Sequence, residues 1–319
     1  MKARLACLLL ILAGLHPNCH PVPREFACGG RTMGTTWSLR SLNHPPDQAQ
    51  IQTRLDSLEA IFSTWQPGSE ISRFNRHPPA QPFPVSPEFA AVFLAARDIH
   101  ARSGGVFDPT VGALTAAFGF GPLSLADPAA LPSLHEIEFD PAQRTLHRGA
   151  SLPTLDLSAL VEGFALERIA LCLQESGHRN FLLEIGGELL ARGPGPDGRG
   201  WSVGIQAPGA ADKRSVTAIL LRDEALSTSG TYRQMGVKDG VSTTHVIDPR
   251  TRRPVRHDTL SVSVIAPNAM EADAWATALL VLGAEAGRKL AEQQNLEALF
   301  LKAASPTAPQ EANASAGAP

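Results

Sequence analysis

Cysteine is scarce. The 319 residues hold four, Cys7, Cys19, Cys28 and Cys172, and none stand in a C-x-x-C pair or at another metal-ligand spacing. Cysteine-based redox or zinc chemistry is therefore excluded as the function. Nor is there a long run of lysine and arginine. With a net charge of −3, the chain lacks the electrostatic footprint needed to neutralise a nucleic-acid backbone. The N-terminal apolar run, Leu5 to Leu15, is too short to span a bilayer. Between Arg24 and Lys302 no Gly/Ser-rich or charge-rich linker and no internal repeat interrupts the composition. This favours one continuous domain, residues 24–302, over two.

What is present is an ordinary globular composition, 43% apolar and 18% charged, enough to bury a large core. Lys2 and Arg4 ahead of the short apolar run have the layout of a secretory signal. Residues 1–19 are thus expected to be a signal segment and the mature protein to be exported to the periplasmic side. Cys19 stands where bacterial lipoproteins carry an acylated cysteine, although the preceding His16-Pro17-Asn18 lacks the small residues of such sites. Anchoring through Cys19 and its absence both remain open. The tail 303–319, rich in Ala, Pro and Ser and without an aromatic, is expected to be disordered.

Helical spacing relates Ile51, Leu55, Leu58 and Phe62, then Phe89, Val92, Phe93, Ala96 and Ile99, then Val161, Phe164, Ile169 and Cys172. A last helix is expected from about Glu271 to Leu282. Strand-prone runs occur at "TTWSLR", "NFLLEI", "WSVGIQ", "VTAILL", "HVID" and "LSVSVIA". Helices and strands do not alternate regularly, so the expected class is α+β, with a largely antiparallel sheet and flanking helices.

Polar residues that interrupt these apolar segments are the candidates for chemistry. "GGVFDPTVG" (residues 104–112) fits a helix C-cap and turn, with Pro109 holding Asp108 extended. It equally fits a loop offering main-chain groups and the Asp108 carboxylate to a ligand. In "LDLSALVEGFALER", Ser158 is a candidate N-cap. Glu162 then lies in the first turn, where the helix dipole favours a carboxylate by ~0.3–1 kcal/mol without any function. Asp156, between Leu155 and Leu157, sits in a half-buried segment and needs a partner. Asp273 and Thr277 project four residues apart from one helix face, as two hard oxygens suited to Mg²⁺ or as mere surface neighbours. "STSGTYR" reads as a Ser/Thr/Gly turn. His245, just before another Asp-Pro, is a candidate general base if a proton donor reaches it and a structural histidine otherwise.

Taken together, these stretches resemble the ApbE family of FAD:protein FMN transferases. The resemblance runs from about Thr32 to Leu301 through "TMGTTW", "STWQPGSEISRFN", "GGVFDPTVG", "LDLSALVEGFALER", "FLLEIGGELLARG", "LSTSGTYR", "HVIDPR" and "EADAWATALLVLG", in the family's order. It implies a single T-fold-like domain. By the same resemblance, Val106, Phe107 and Asp108 line an FAD site walled by Met33 and Trp65, with Asp156, Glu162 and Ile247 as further contacts. The family usually has tyrosine where Trp65 stands, and many members have lysine at Glu162. The Ala159 carbonyl, Asp273 and Thr277 match the Mg²⁺ ligands, and Ala276 replaces an additional carboxylate found in some members.

The implied reaction moves FMN from FAD to a threonine hydroxyl of a target protein with AMP leaving, and His245 matches the proposed base. The implied acceptors belong to membrane redox complexes. The alternatives are a flavin-delivery protein without transfer activity, and a metal-dependent FAD hydrolase yielding FMN and AMP.

Overall fold

The computed structural model describes residues 23–122, 134–208, 215–232, 235–238 and 241–303. The expected signal segment with Cys7 and Cys19, and the tail beyond Ala303, lie outside these residues.

Strands β1 (Glu25–Thr32) and β2 (Thr35–Leu42) come first. Helices α1 (Gln48–Phe62) and α2 (Glu70–Arg76), the short strand β3 (Phe83–Pro84), and helices α3 (Pro87–Arg102) and α4 (Gly112–Ala117) follow. Next are β4 (Ile137–Asp140), β5 (Thr145–Arg148), helix α5 (Ser158–Glu175), β6 (Phe181–Ile185), β7 (Glu188–Arg192), β8 (Trp201–Gln206), β9 (Ser215–Leu221) and β10 (Ala225–Gly230). Two short ribbons, β11 (Met235–Lys238) with β12 (Val241–Thr244) and β13 (Ile247–Asp248) with β14 (Arg253–Pro254), precede β15 (Thr259–Ala266), α6 (Ala269–Gln293) and β16 (Glu297–Lys302).

Seven strands form one sheet in the order β1-β2-β6-β7-β10-β15-β16, every neighbouring pair antiparallel. Spatial order equals chain order, so each insertion leaves the sheet and returns to its next free edge. Alternation along the strands assigns the two faces. Trp37, Leu39, Phe181, Leu183 and Ile185 turn toward a core shared with α1, α3, α5 and α6, whereas Leu42 and Leu182 join a smaller cluster. That cluster is closed by Trp201, Val203, Ile205 and Leu221 of the β8–β9 hairpin. Each fully buried Phe, Leu or Ile contributes ~1.5–3 kcal/mol of transfer free energy.

The helices start where capping chemistry allows. Asp47 caps α1 through Gln50 N–H, and Ser86 caps α3 through Phe89 N–H with Pro87 following it. Asn268 caps α6 through Glu271 N–H. This helix begins two residues before the expected Glu271 and runs well past Leu282, because it is two helical stretches meeting at Gly283 (φ 72°, ψ 175°). The His257 ring fills the space where a side chain at Gly283 would sit, 3.0 Å from an ideal Cβ, and its Nε2 donates to the Leu280 carbonyl at 2.8 Å.

Three sequence expectations are corrected. "STSG" is not a turn but part of strand β10, between β7 and β15. Of "HVID", only Ile247 and Asp248 are strand. Ser158 is not the cap of α5: Leu157 holds that position without a side-chain bond, and the Asp156 carboxylate accepts from Ser158 N–H at 3.0 Å instead.

Candidate functional site

Register brings several turns to one end of the sheet. Met33 and Gly34, with φ of 49° and 75°, form the two-residue β1–β2 turn, whose positive φ values match the twist of the paired strands. The pairings Trp37↔Ile185 and Ile185↔Glu188 place the Gly186-Gly187 turn of β6–β7 beside it, and Gly186 N–H donates to the Thr36 carbonyl at 3.1 Å. β10 leaves the sheet and β15 re-enters it at the same end, as Gly230↔Ser261 shows. The insertion carrying His245 therefore opens and closes here.

Two helices converge on this end. α5 and α6 touch at Gly163, where an added Cβ would stand 2.3 Å from the Ala269 carbonyl oxygen. Only glycine permits that approach. It lets the Asp273 carboxylate, 6% exposed, accept from Gly163 N–H at 3.2 Å. In an α-helix that N–H also faces the carbonyl four residues back, which is Ala159. Ala159 C=O and Asp273 thus share one locality although 114 positions separate them (273 − 159). One turn along α6, the Thr277 hydroxyl lies 2.9 Å from Ser229 Oγ on β10. The set comprises a carboxylate, a carbonyl and a hydroxyl, the hard oxygens that suit Mg²⁺, which keeps several waters and takes its remaining ligands from phosphates. It contains one acidic side chain, and among the described residues no three His, Cys, Asp or Glu side chains cluster as ligands.

Glu162 lies in the second turn of α5, not the first, so the helix-end dipole does not account for it. Its carboxylate sits against the β6–β7 turn, with Oε2 2.6 Å from where a Cβ at Gly186 would be. Asp156 and Asp108 belong to adjoining loops. Asp156 N–H donates to the Pro109 carbonyl at 2.7 Å, and Gly112 N–H to the Thr154 carbonyl at 3.1 Å. The Asp108 carboxylate accepts from Thr110 N–H at 2.8 Å and from Thr110 Oγ1 at 2.5 Å, and lies 3.8 Å from His100 Nδ1. Val106 and Phe107 are core residues, 6% and 4% exposed. The Phe107 main chain is engaged as well, its N–H donating to Ser103 Oγ at 3.1 Å and its carbonyl accepting from His100 Nδ1 at 2.8 Å.

Met33 and Trp65 are linked by a residue that periodicity alone does not single out. Glu59, on α1, accepts Met33 N–H through Oε2 at 3.1 Å and Gln66 Nε2 through Oε1 at 3.2 Å. It joins the β1–β2 turn to the loop bearing Trp65, which is 65% exposed. An indole that exposed contributes little to the core and presents a free π-face. Other partners are likewise identified only by contact: Gly163 and Ser229 around the oxygen set, and Phe120, whose ring meets His245 edge-on at 6.1 Å.

His245 stands two residues before β13, and Val246 and Ile247 after it are buried. The ribbon is fixed by Asp248, whose carboxylate binds the Arg250 guanidinium at 3.0 and 2.8 Å. Burial pushes the Asp248 carboxyl up, but its bonds to the Arg250 side chain and main chain outweigh that and hold it below its ordinary value. The structure thus gathers Ala159, Asp273 and Thr277 into one group, Met33 and Trp65 into a second, and Asp108 and Asp156 into a third. His245 and Ile247 sit on the insertion.

Residues 33–300 match the ApbE family. The FAD:protein FMN transferase of Vibrio cholerae serotype O1 is 35% identical over 310 residues, which is 92% of this chain and 91% of that protein. The FAD:protein FMN transferase of Escherichia coli strain K12 is 35% identical over 286 residues, 84% of this chain and 81% of that protein. Among solved structures, the flavin transferase ApbE from Vibrio cholerae superposes with a TM-score of 0.77 at 33% identity, covering 88% of this chain and 94% of that one. The apo form of Pseudomonas stutzeri flavinyl transferase ApbE gives a TM-score of 0.78 at 28% identity, with coverage of 89% and 92%.

Proposed function

Because this chain belongs to the ApbE family, we propose that it is an FAD:protein FMN transferase, moving the FMN half of FAD to a threonine hydroxyl of a target protein and releasing AMP. The observation that carries the reading is the buried Asp273 carboxylate on Gly163 N–H, with the Ala159 carbonyl and Thr277 beside it. This set would hold Mg²⁺, which would offset charge on the pyrophosphate and on the departing AMP.

The chain's own residues supply the rest. Trp65 offers an aromatic ring for stacking on the cofactor, and Met33 closes the same wall through Glu59. Asp108, Asp156, Glu162 and Ile247, with the Val106–Phe107 stretch behind Asp108, frame the remaining contacts. His245 accepts the threonine proton as the hydroxyl oxygen attacks the flavin-side phosphorus. The new P–O bond forms in line with the anhydride bond that breaks, and the electron pair leaves with AMP.

The layout of residues 1–19 supports export, with or without acylation of Cys19, and the resemblance to the ApbE family supports acceptors among membrane redox complexes. Among the described residues no helix is long and apolar enough to cross a membrane.

The test is incubation with FAD, Mg²⁺ and a threonine-bearing acceptor, followed by mass spectrometry. An FMN adduct on threonine with stoichiometric AMP is the expected result. Free FMN and AMP in equal amounts would identify a hydrolase, and unchanged FAD a delivery protein. His245→Asn should lower transfer by ~10²–10⁴-fold with FAD affinity nearly intact. Equal transfer rates in both proteins would move the base elsewhere.

A further inference from the structure

The chain as a whole is slightly acidic, with a net charge of −3, yet Arg250, Arg252, Arg253 and Arg256 fall within seven residues of one another directly after His245. Arg250 is spent on Asp248. Arg252, Arg253 and Arg256 are exposed, and no salt bridge among the described residues occupies them. The nearby Asp258 carboxylate is already 3.0 Å from Lys302 Nζ. A local surplus of positive charge is therefore left at the surface.

Its position is set by the β13–β14 ribbon. Ile247 pairs with Pro254 and Asp248 with Arg253, and Val255 N–H donates to the Val246 carbonyl at 3.0 Å. His245 and Arg256 each stand one residue beyond that bond, outside the paired strands, so the two backbones run close to one another where the ribbon begins. Arg252 lies in the turn itself, with φ of 58°. That left-handed conformation favours glycine, and a long β-carbon-bearing side chain is held there at a cost. Strain retained beside a reactive residue calls for a gain elsewhere.

We infer that Arg252, Arg253 and Arg256 form a cationic docking surface for an acidic segment of the acceptor protein, close to its flavin-accepting threonine. The inference rests on the transferase reading, since that reaction must seat a polypeptide at His245. A folded acceptor cannot enter a small-molecule pocket. It has to be gripped outside, and charge complementarity grips and orients a polypeptide chiefly through encounter rate and register. An anionic membrane would also be drawn to arginines, but the main-chain bond between Val246 and Val255, the neighbours of His245 and Arg256, ties the patch to the reacting hydroxyl.

Two threonine peptides serve as probes, one flanked by aspartates and glutamates and the other by asparagines and glutamines. FMN transfer is measured for both, together with direct binding by fluorescence anisotropy, which needs no turnover. The acidic peptide should show the lower KM, and its advantage should shrink as salt rises. Substituting Arg252→Gly, Arg253→Gln and Arg256→Gln together should raise its KM about tenfold and weaken its binding alike. KM for the neutral peptide, kcat and FAD affinity should stay unchanged. Arg252→Gly alone should melt no lower than the parent, which keeps misfolding from mimicking the effect.

Equal KM values for the two peptides would overturn the inference while leaving the transferase intact. So would a loss shared by both peptides, a rise in FAD Kd, or a defect confined to sedimentation with phosphatidylglycerol vesicles. If no acceptor is modified at all, the transferase reading fails, and anisotropy still decides whether the arginines bind acidic chains.

Discussion

At Trp65 and Asp273 the same physical rule is broken in opposite directions: a large apolar ring stands in solvent and a carboxylate is buried. Both departures cost stability unless something else is gained. Trp65→Ala should weaken FAD by ~1–3 kcal/mol, the range for aromatic stacking on a base, with the unfolding midpoint little changed. A fluorescence titration with an unaltered Kd would remove Trp65 from the site. Asp273→Ala takes away the acidic member of the oxygen set and leaves Gly163 N–H without its side-chain acceptor. Transfer should be abolished while FAD binding weakens less, since on the proposed reading the carboxylate would hold metal against the pyrophosphate and not contact the ring. Calorimetric titration with Mg²⁺ should lose its signal. Full Mg²⁺-dependent transfer in this variant would sink the assignment.

Among the elements, the contact between α5 and α6 matters most, because it sets the distance between Ala159 and Asp273. Gly163 makes the contact possible, and the capping of α6 by Asn268 starts the helix at Ala269 against it. Gly163→Ala would force a Cβ to within 2.3 Å of main chain that cannot rotate away. Urea unfolding should show a loss of ~1–3 kcal/mol, as overpacking does, and Mg²⁺ affinity should fall with it. Mg²⁺ affinity equal to the parent's would show that the helix contact does not set the ligand geometry. The β10 strand meets the same constraint: Ser227 and Ser229 are small because α6 lies on their face, Ser229 touches Thr277, and a Cβ at Gly230 would stand 2.8 Å from the Tyr232 ring. Their composition imitates a turn, which is why sequence pattern alone misassigns the strand.

Across the whole molecule, pH dependence of stability has an identifiable source remote from the chemistry. His178, just past α5, is buried, with Nδ1 2.8 Å from Ser41 Oγ on β2 and its ring 5.7 Å from that of His44. Burial, and secondarily the charge of His44, lowers its pKa. The unfolded chain therefore binds more protons than the folded one just below the ordinary imidazole pKa of ~6.5. Stability is complete above that value and declines as pH falls toward the lower folded pKa. Carboxyls held low by arginines, such as Glu88 and Asp248, act only at more acidic pH, where the unfolded groups titrate near ~4. Urea midpoints between these two ranges should drop in the parent and flatten in His178→Asn. The same slope in both would assign the effect to another group.

Amphipathic period by itself determines α1, α3 and α5, because a buried face leaves its repeat in the residues themselves, and β-prone runs mark β2, β6, β8, β9 and β15. Residue types likewise mark Asp273, Thr277 and His245 as chemically capable, and the ordered stretches point to the family. Period tells which face is buried and not what covers it. Only the tertiary structure brings Gly163 against Ala269, and with it Asp273 to the neighbourhood of Ala159. It alone ties Met33 and Trp65 together through Glu59, turns a serine-rich stretch into a central strand, and brings the chain before Arg256 back to the chain after His245. Those relations join residues distant in sequence, and they depend on how closely two backbones can approach, a quantity no single segment encodes.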